Sequence, residues 1–192
     1  MPYTPAHKAR TRERILDSAR RLFMRSGYER VTIEAVMADA GLTRGGFYNH
    51  FAGKAELFAA AVDGYVRTTP WEADDGGEPS LDAPDLARWF IDFYLSDGML
   101  AQRELQCPLF ALPGDVSRAG GAPQAAYTRL IERTVAVFRA ALPPGPGREA
   151  KAEAIVALCV GAMLLASTTD DAGLRRSLRR SAKGRAVALL DG

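Results

Sequence analysis

An all-α fold is predicted for this 192-residue chain by three observations. Apolar residues recur at helical spacing in almost every segment. No stretch of useful length alternates apolar and polar residues as a half-buried strand would. Gly- and Pro-rich breaks separate the periodic segments, short ones first and long ones later.

Taken in order, Ile15, Ala19, Leu22 and Phe23 recur at i, i+4, i+7 and i+8 with arginines on the other face, and Gly27 is placed to end that helix as its C′ residue. Thr32 is the predicted cap of a short second helix with Ile33, Val36 and Met37 on its apolar side. Ala40-Gly41 stops it, and Thr43 is expected to cap a third. Lys54 to Arg67 reads as a fourth, burying Leu57, Phe58, Ala61, Val62 and Tyr65. The stretch TTPWEADDGGEPSLDAPD (68–85) changes composition and reads as a loop between domains, which gives a division into 1–67 and 68–192. Helical pattern resumes at Leu86 with Trp89, Phe90, Phe93 and Tyr94, and residues 98–123 look broken. Helices are then expected over about 124–142, 149–168 and 171–190, the first two separated by PPGPG.

Composition narrows the function classes. No run of 18 or more apolar residues occurs, so no membrane span is expected, and the basic start MPYTPAHKARTRER has no apolar stretch of signal-peptide type. Two cysteines, Cys107 and Cys159, are too few for a disulfide framework and fit a reducing, cytoplasmic setting. No His/Cys cluster has metal-ligand spacing, so neither a metal nor a cofactor is expected. The net charge of +2 is uneven: residues 1–67 hold eleven basic against seven acidic side chains, residues 68–142 six against eleven. That asymmetry suggests that one end meets a polyanion, although a solvated charged surface fits charge alone equally well.

The decisive stretch is LTRGGFYNHF, 42–51. Two glycines precede aromatics at helical spacing, and each costs about 1 kcal/mol against alanine inside a helix. Short helices joined by a tight Gly-containing turn form a helix-turn-helix, whose last helix enters the DNA major groove N-terminus first. Gly45 and Gly46 would then occupy the first turn, where free N–H groups and the positive dipole end face outward and a side chain would hold phosphate at a distance. Arg44 has the forked donor suited to guanine O6 and N7. Tyr48, Asn49 and His50 offer polar groups nearby, Thr32 a hydroxyl and an N–H, and Lys54 a point charge for phosphate. For any one of these, surface decoration is the alternative. Phe47 and Phe51 are expected to face inward.

Residues 15–57 resemble the N-terminal domain of TetR-family transcriptional regulators. The resemblance is carried by Ile15-Leu16, Ala19, Leu22-Phe23, Gly27-Tyr28, Thr32, Val36, Ala40-Gly41-Leu42-Thr43, Gly45, Tyr48, His50-Phe51, Lys54 and Leu57. It implies a homodimer reading pseudo-palindromic double-stranded operator DNA, with contacts from Thr32, Thr43, Arg44, Gly45, Gly46, Tyr48, Asn49, His50 and Lys54. It also implies a C-terminal domain that binds a small-molecule effector and dimerises. Met37 departs from the pattern, where a small residue is more usual.

In the C-terminal part, Ala154–Ala166 is apolar nearly all round and must be buried on several sides, in a dimer interface or in the core of a monomer. The basic segment LRRSLRRSAK, 174–183, reads as a solvated outer face or, alternatively, a membrane-surface helix. Trp89, Phe93, Tyr94, Phe110 and Tyr127 are candidates for lining an effector pocket, with plain core as the alternative. Pro108 suits the first position of a helix with Cys107 as its N-cap. A thiol there feels the positive dipole end, and with Arg103 near, Cys107 is a candidate sensing thiol of lowered pKa; a packed structural cysteine is the favoured alternative. A ligand-responsive repressor is the favoured function. The alternatives are a thiol enzyme using Cys107, for which only His7 and His50 exist as bases, and a non-switching DNA-packaging protein.

Overall fold

The computed structural model describes residues 4–65, 84–103 and 106–192, and among them there is no strand. Helix α1 runs Pro5–Arg30, ten residues earlier than its apolar face begins. Thr4 starts it by accepting from His7 N at 3.3 Å, and Pro5 occupies the first position. Gly27 breaks it with φ 78°, as expected, but one more turn follows to Arg30. A Cβ at Gly27 would also stand 3.0 Å from Asp115 Oδ2, so both backbone and neighbour call for glycine there.

Helix α2 (Ile33–Asp39) is capped by Thr32, whose hydroxyl accepts from Ala35 N at 3.1 Å. It ends in paired bonds from Gly41 N to Ala38 O (3.0 Å) and Leu42 N to Met37 O (2.8 Å), with Gly41 at φ 66°. Polar contacts bind α2 to α1. Fully buried Ser18 donates to Val36 O at 3.0 Å and to Asp39 at 2.6 Å, and Arg14 donates to Ala40 O at 2.7 Å. The third element, Arg44–Asn49, is a 3-10 helix rather than the expected α-helix. Thr43 stands at its N-cap but its side chain makes no capping bond.

Helix α3 covers Lys54–Asp63 and is closed by Gly64; the expected end at Arg67 lies outside the described residues. Its Phe58 meets Phe23 and Tyr28 edge-on at 5.0 and 4.9 Å and seals it onto α1. The expected interdomain loop lies outside the described residues up to 83. Beyond it, α4 covers Pro84–Tyr94. The broken region holds three short helices, α5 (Asp97–Ala101), α6 (Pro108–Ala111) and α7 (Pro113–Ala119). Three long ones follow: α8 (Gly121–Ala141), α9 (Arg148–Thr168) and α10 (Ala172–Asp191). By length and composition α9 is apolar enough to cross a membrane, yet Ile155, Val156, Cys159, Ala162, Met163 and Ala166 are buried within the bundle. Helix α8 is tied to α3 by Arg129, which donates to both oxygens of Asp63 at 3.0 and 2.6 Å.

Candidate nucleic-acid interface and effector groove

The N-terminal helices display one surface built around the 3-10 helix. Phe47 and Phe51 are buried beneath it with ring centroids 5.8 Å apart, as their inward assignment requires. They hold the backbone while Arg44, Gly45, Tyr48 and Asn49 stay exposed, Tyr48 by 60%. The first bond of this helix is Gly46 N to Thr43 O at 3.1 Å, which leaves the N–H groups of Arg44 and Gly45 without helical partners.

The two glycines have no internal reason to be glycine. Neither has a positive φ. A Cβ on Gly45 would meet nothing within 4 Å, and one on Gly46 only Met37 Cε at 3.7 Å, an ordinary contact.

Around them the polar groups are lightly held. Arg44 Nε pairs with Glu34 at 2.9 Å, both groups well exposed, so the pair is weak and readily exchanged. Lys54 Nζ lies 4.4 Å above the Tyr28 ring and donates to Glu29 O at 3.2 Å, which fixes a cation at the start of α3. The Thr32 hydroxyl is engaged as the α2 cap. His50 Nδ1 is buried with no partner, and its pKa is held below the usual imidazole value by burial, then by Lys8 and Arg12.

Lys8 and Arg12 escaped the sequence reading. Arg12 sits 4.7 Å over the Phe51 ring, so the early turns of α1 bring two more cations to this surface. The signal was Thr4-Pro5, a cap followed by a first-position proline, with basic residues at i and i+4 after it.

The remaining candidates separate into two groups. Tyr94, Cys107 and Phe110 are buried together, Tyr94 and Phe110 edge-on at 5.8 Å, and Tyr127 donates to Leu109 O at 2.5 Å beside them. Trp89 and Phe93 instead stack on one another, 5.0 Å apart, on the more exposed flank of α4.

Cys107 does cap α6 in position, but the expected lowering of its pKa is wrong. The thiol is 3% exposed and lies against the hydroxyls of Tyr65 and Tyr94; burial pushes it up to about 11. Desolvation outweighs the dipole of a four-residue helix. Cys159 is likewise pushed up, to about 12. No group of His, Cys, Asp and Glu among the described residues could hold a metal ion.

Among the described residues a groove of about 720 Å³ lies between α8 and α9. Leu109, Tyr127, Ile131, Val135 and Val156 form its apolar walls, and Glu132, Glu149, Glu153 and Arg139 its polar end. Of the predicted pocket residues only Tyr127 lines it. The facing i, i+4 pairs Ile131/Val135 and Val156/Val160 were visible in the sequence, but not that they face each other.

Residues 15–61 match the family model for bacterial regulatory proteins of the tetR family, a span that holds the capped α2, the 3-10 helix and the start of α3. Residues 15–61 thus form a TetR-family N-terminal domain. Its N-terminal part is 38% identical over 71 residues to the HTH-type transcriptional regulator SrpR of Pseudomonas putida, covering 37% of this chain and 32% of that one. The same identity over 71 residues is found with TtgW, an uncharacterized HTH-type transcriptional regulator also of Pseudomonas putida, covering 37% of this chain and 52% of that one. The match thus spans about a third to a half of those relatives. A crystal structure of a TetR-family transcriptional regulator from Agrobacterium tumefaciens superposes with a TM-score of 0.65 at 23% identity, covering 93% of this chain and 98% of that one. At that identity the likeness extends the fold, though not the function, beyond the N-terminal match.

Proposed function

We propose that this chain is a sequence-specific DNA-binding repressor of the TetR family, acting as a homodimer and released from its operator by a small-molecule effector. The observation that carries the reading is the pair of glycines at 45 and 46. Nothing within the chain requires them, and they bare main-chain N–H groups at the start of a helix beside Arg44 and Lys54. A phosphate backbone is the partner that rewards such an opening. Arg44, freed from Glu34, is then the reader of a base edge, and Lys8, Arg12 and Lys54 neutralise phosphates.

Dimerisation is supported by apolar surface left open on α9 and α10. Leu164, Leu165 and Leu174 are 36%, 54% and 47% exposed, and the same patch on a second copy covers them by a two-fold contact. Two recognition helices are also what raises weak binding into specific binding. As trigger, the groove between α8 and α9 is better supported than modification of Cys107. Its thiol is buried and pushed up to about 11, so almost none is thiolate at neutral pH. The same fact weighs against a thiol enzyme. An effector acts here only by binding better to the form that does not fit both half-sites. The 1–67 and 68–192 division into DNA-binding and effector-binding parts, and a cytoplasmic location, go with this reading.

The test is selection of bound duplexes from a random pool. A repressor of this kind enriches an inverted repeat with half-sites about one DNA turn apart. Enrichment of no sequence, with affinity that falls equally for all duplexes as salt rises, would instead show a packaging protein.

A further inference from the structure

We propose that the groove where α10 passes the turn between α4 and α5 is a binding site for a small molecule carrying two or three linked phosphates. The groove is open to solvent, with a volume of about 450 Å³, and Arg176, Arg179, Arg180 and Lys183 line it with Ser177 and Leu95. Among the described residues no acidic side chain lines it. The basic segment that in sequence looks like a solvated face is here one wall of a cavity.

Arg179 sets this cavity apart from a lysine- and arginine-rich surface. Its side chain is buried, 7% exposed, and donates to Leu95 O at 2.9 Å and to Asp97. The guanidinium is thereby fixed at the floor. Asp97 itself is 90% exposed, so its hold on Arg179 is open to competition from a better anion. Lys183 is matched by Asp92 at 2.9 Å. Arg176 lies near Asp171, whose Oδ1 caps α10 by accepting from Gly173 and Leu174 at 2.7 and 3.0 Å. Arg180 has no carboxylate partner among the described residues.

Like charges one turn apart on a helix repel. Four cations within eight residues stand against three carboxylates, Asp92, Asp97 and Asp171, which leaves the groove with an excess of positive charge. Arg176, Arg180 and Lys183 extend over about 10 Å of helix, which suits a chain of phosphates better than one. Leu174 and Leu178 lie on the far flank of α10, roughly opposite the cations at 100° per residue, so a second copy seated there leaves the groove open.

Isothermal titration of the full chain with sodium tripolyphosphate and with ATP, at about 0.15 M salt to screen loose surface attraction, tests the site. One ligand per chain with a Kd below about 0.1 mM is expected. Arg176→Ala with Arg180→Ala, both exposed and outside the core, should weaken it at least about tenfold with unchanged helix content. Asp97→Asn should tighten it severalfold by removing the competing carboxylate. Lys54→Ala, on the DNA-facing surface, should leave it alone. Loss of binding on Lys54→Ala but not on the double variant would place the phosphates on the DNA-binding surface and overturn the proposal. So would absence of binding, or binding confined to vesicles bearing phosphorylated inositol lipids.

Discussion

The two aromatic clusters, 47–51 beneath the recognition element and 89–94 on α4, use the same residue types at the same helical spacing and end differently. In the first, Phe47 and Phe51 go inward and Tyr48 outward, and the exposed ring belongs to a surface with free main-chain donors. In the second, Phe90 and Tyr94 go inward, while Trp89 and Phe93 stack on the more exposed flank. Aromatic spacing therefore reports which face packs. What turns a face into a site is the main chain beside it.

The sharpest break between inward and outward rings is expected in stability. Phe58→Ala removes a ring buried between Phe23 and Tyr28 and should cost about 3–5 kcal/mol in urea unfolding. Tyr48→Ala should change stability by less than about 0.5 kcal/mol while weakening operator binding. Equal losses of stability from both would erase the distinction.

Next in size are the two cations. Arg44→Ala should cost about 1–3 kcal/mol of operator affinity and relax preference at one base pair. Lys54→Ala should weaken all duplexes alike and flatten the salt dependence by roughly one unit of slope. Gel shifts over a salt series separate them, and identical profiles would mean the roles are misassigned.

A smaller effect concerns the thiols. Since burial pushes Cys107 up to about 11 and Cys159 to about 12, iodoacetamide at neutral pH should label both slowly in the native chain and far faster in urea. Fast native labelling of Cys107 alone would restore the sensing role.

The smallest is a pH effect. His50 has a pKa depressed below 6.5 in the folded chain, so the unfolded chain binds the proton more readily. Its stabilising contribution is complete above pH 6.5 and is lost as pH falls from there through the folded value. His50→Gln should flatten that part of the unfolding profile.

Much of this architecture was legible because local chemistry decided it. Thr32 and Gly41 stand at helix boundaries, and Gly27 at a break within α1, as a capping hydroxyl and glycines of positive φ allow. The bounds of α8 to α10 agree with apolar period and the PPGPG break to within about three residues. The 3-10 geometry of 44–49 was not legible, since periodicity over six residues does not separate three residues per turn from 3.6. The early start of α1 was missed because Pro5 to Arg14 has no apolar face to reveal it. Cys107 differs for another reason: Pro108 is adjacent and visible, whereas the burial that pushes the thiol up, against the lowering by hydrogen bonds with Tyr94 and Tyr65, is set by tertiary packing. The α8–α9 groove was hidden in the same way.

The central claim is that the bare main chain at Gly45 exists for a partner outside the molecule. Gly45→Leu tests it most directly, because the new side chain meets nothing within 4 Å and needs no unusual backbone. Operator affinity and unfolding should be measured on the same preparation. The account predicts unchanged or slightly raised stability, by about 0.4–1 kcal/mol at most, with operator affinity at least about tenfold lower. A correctly folded Gly45→Leu dimer that binds its operator as tightly as before would contradict it.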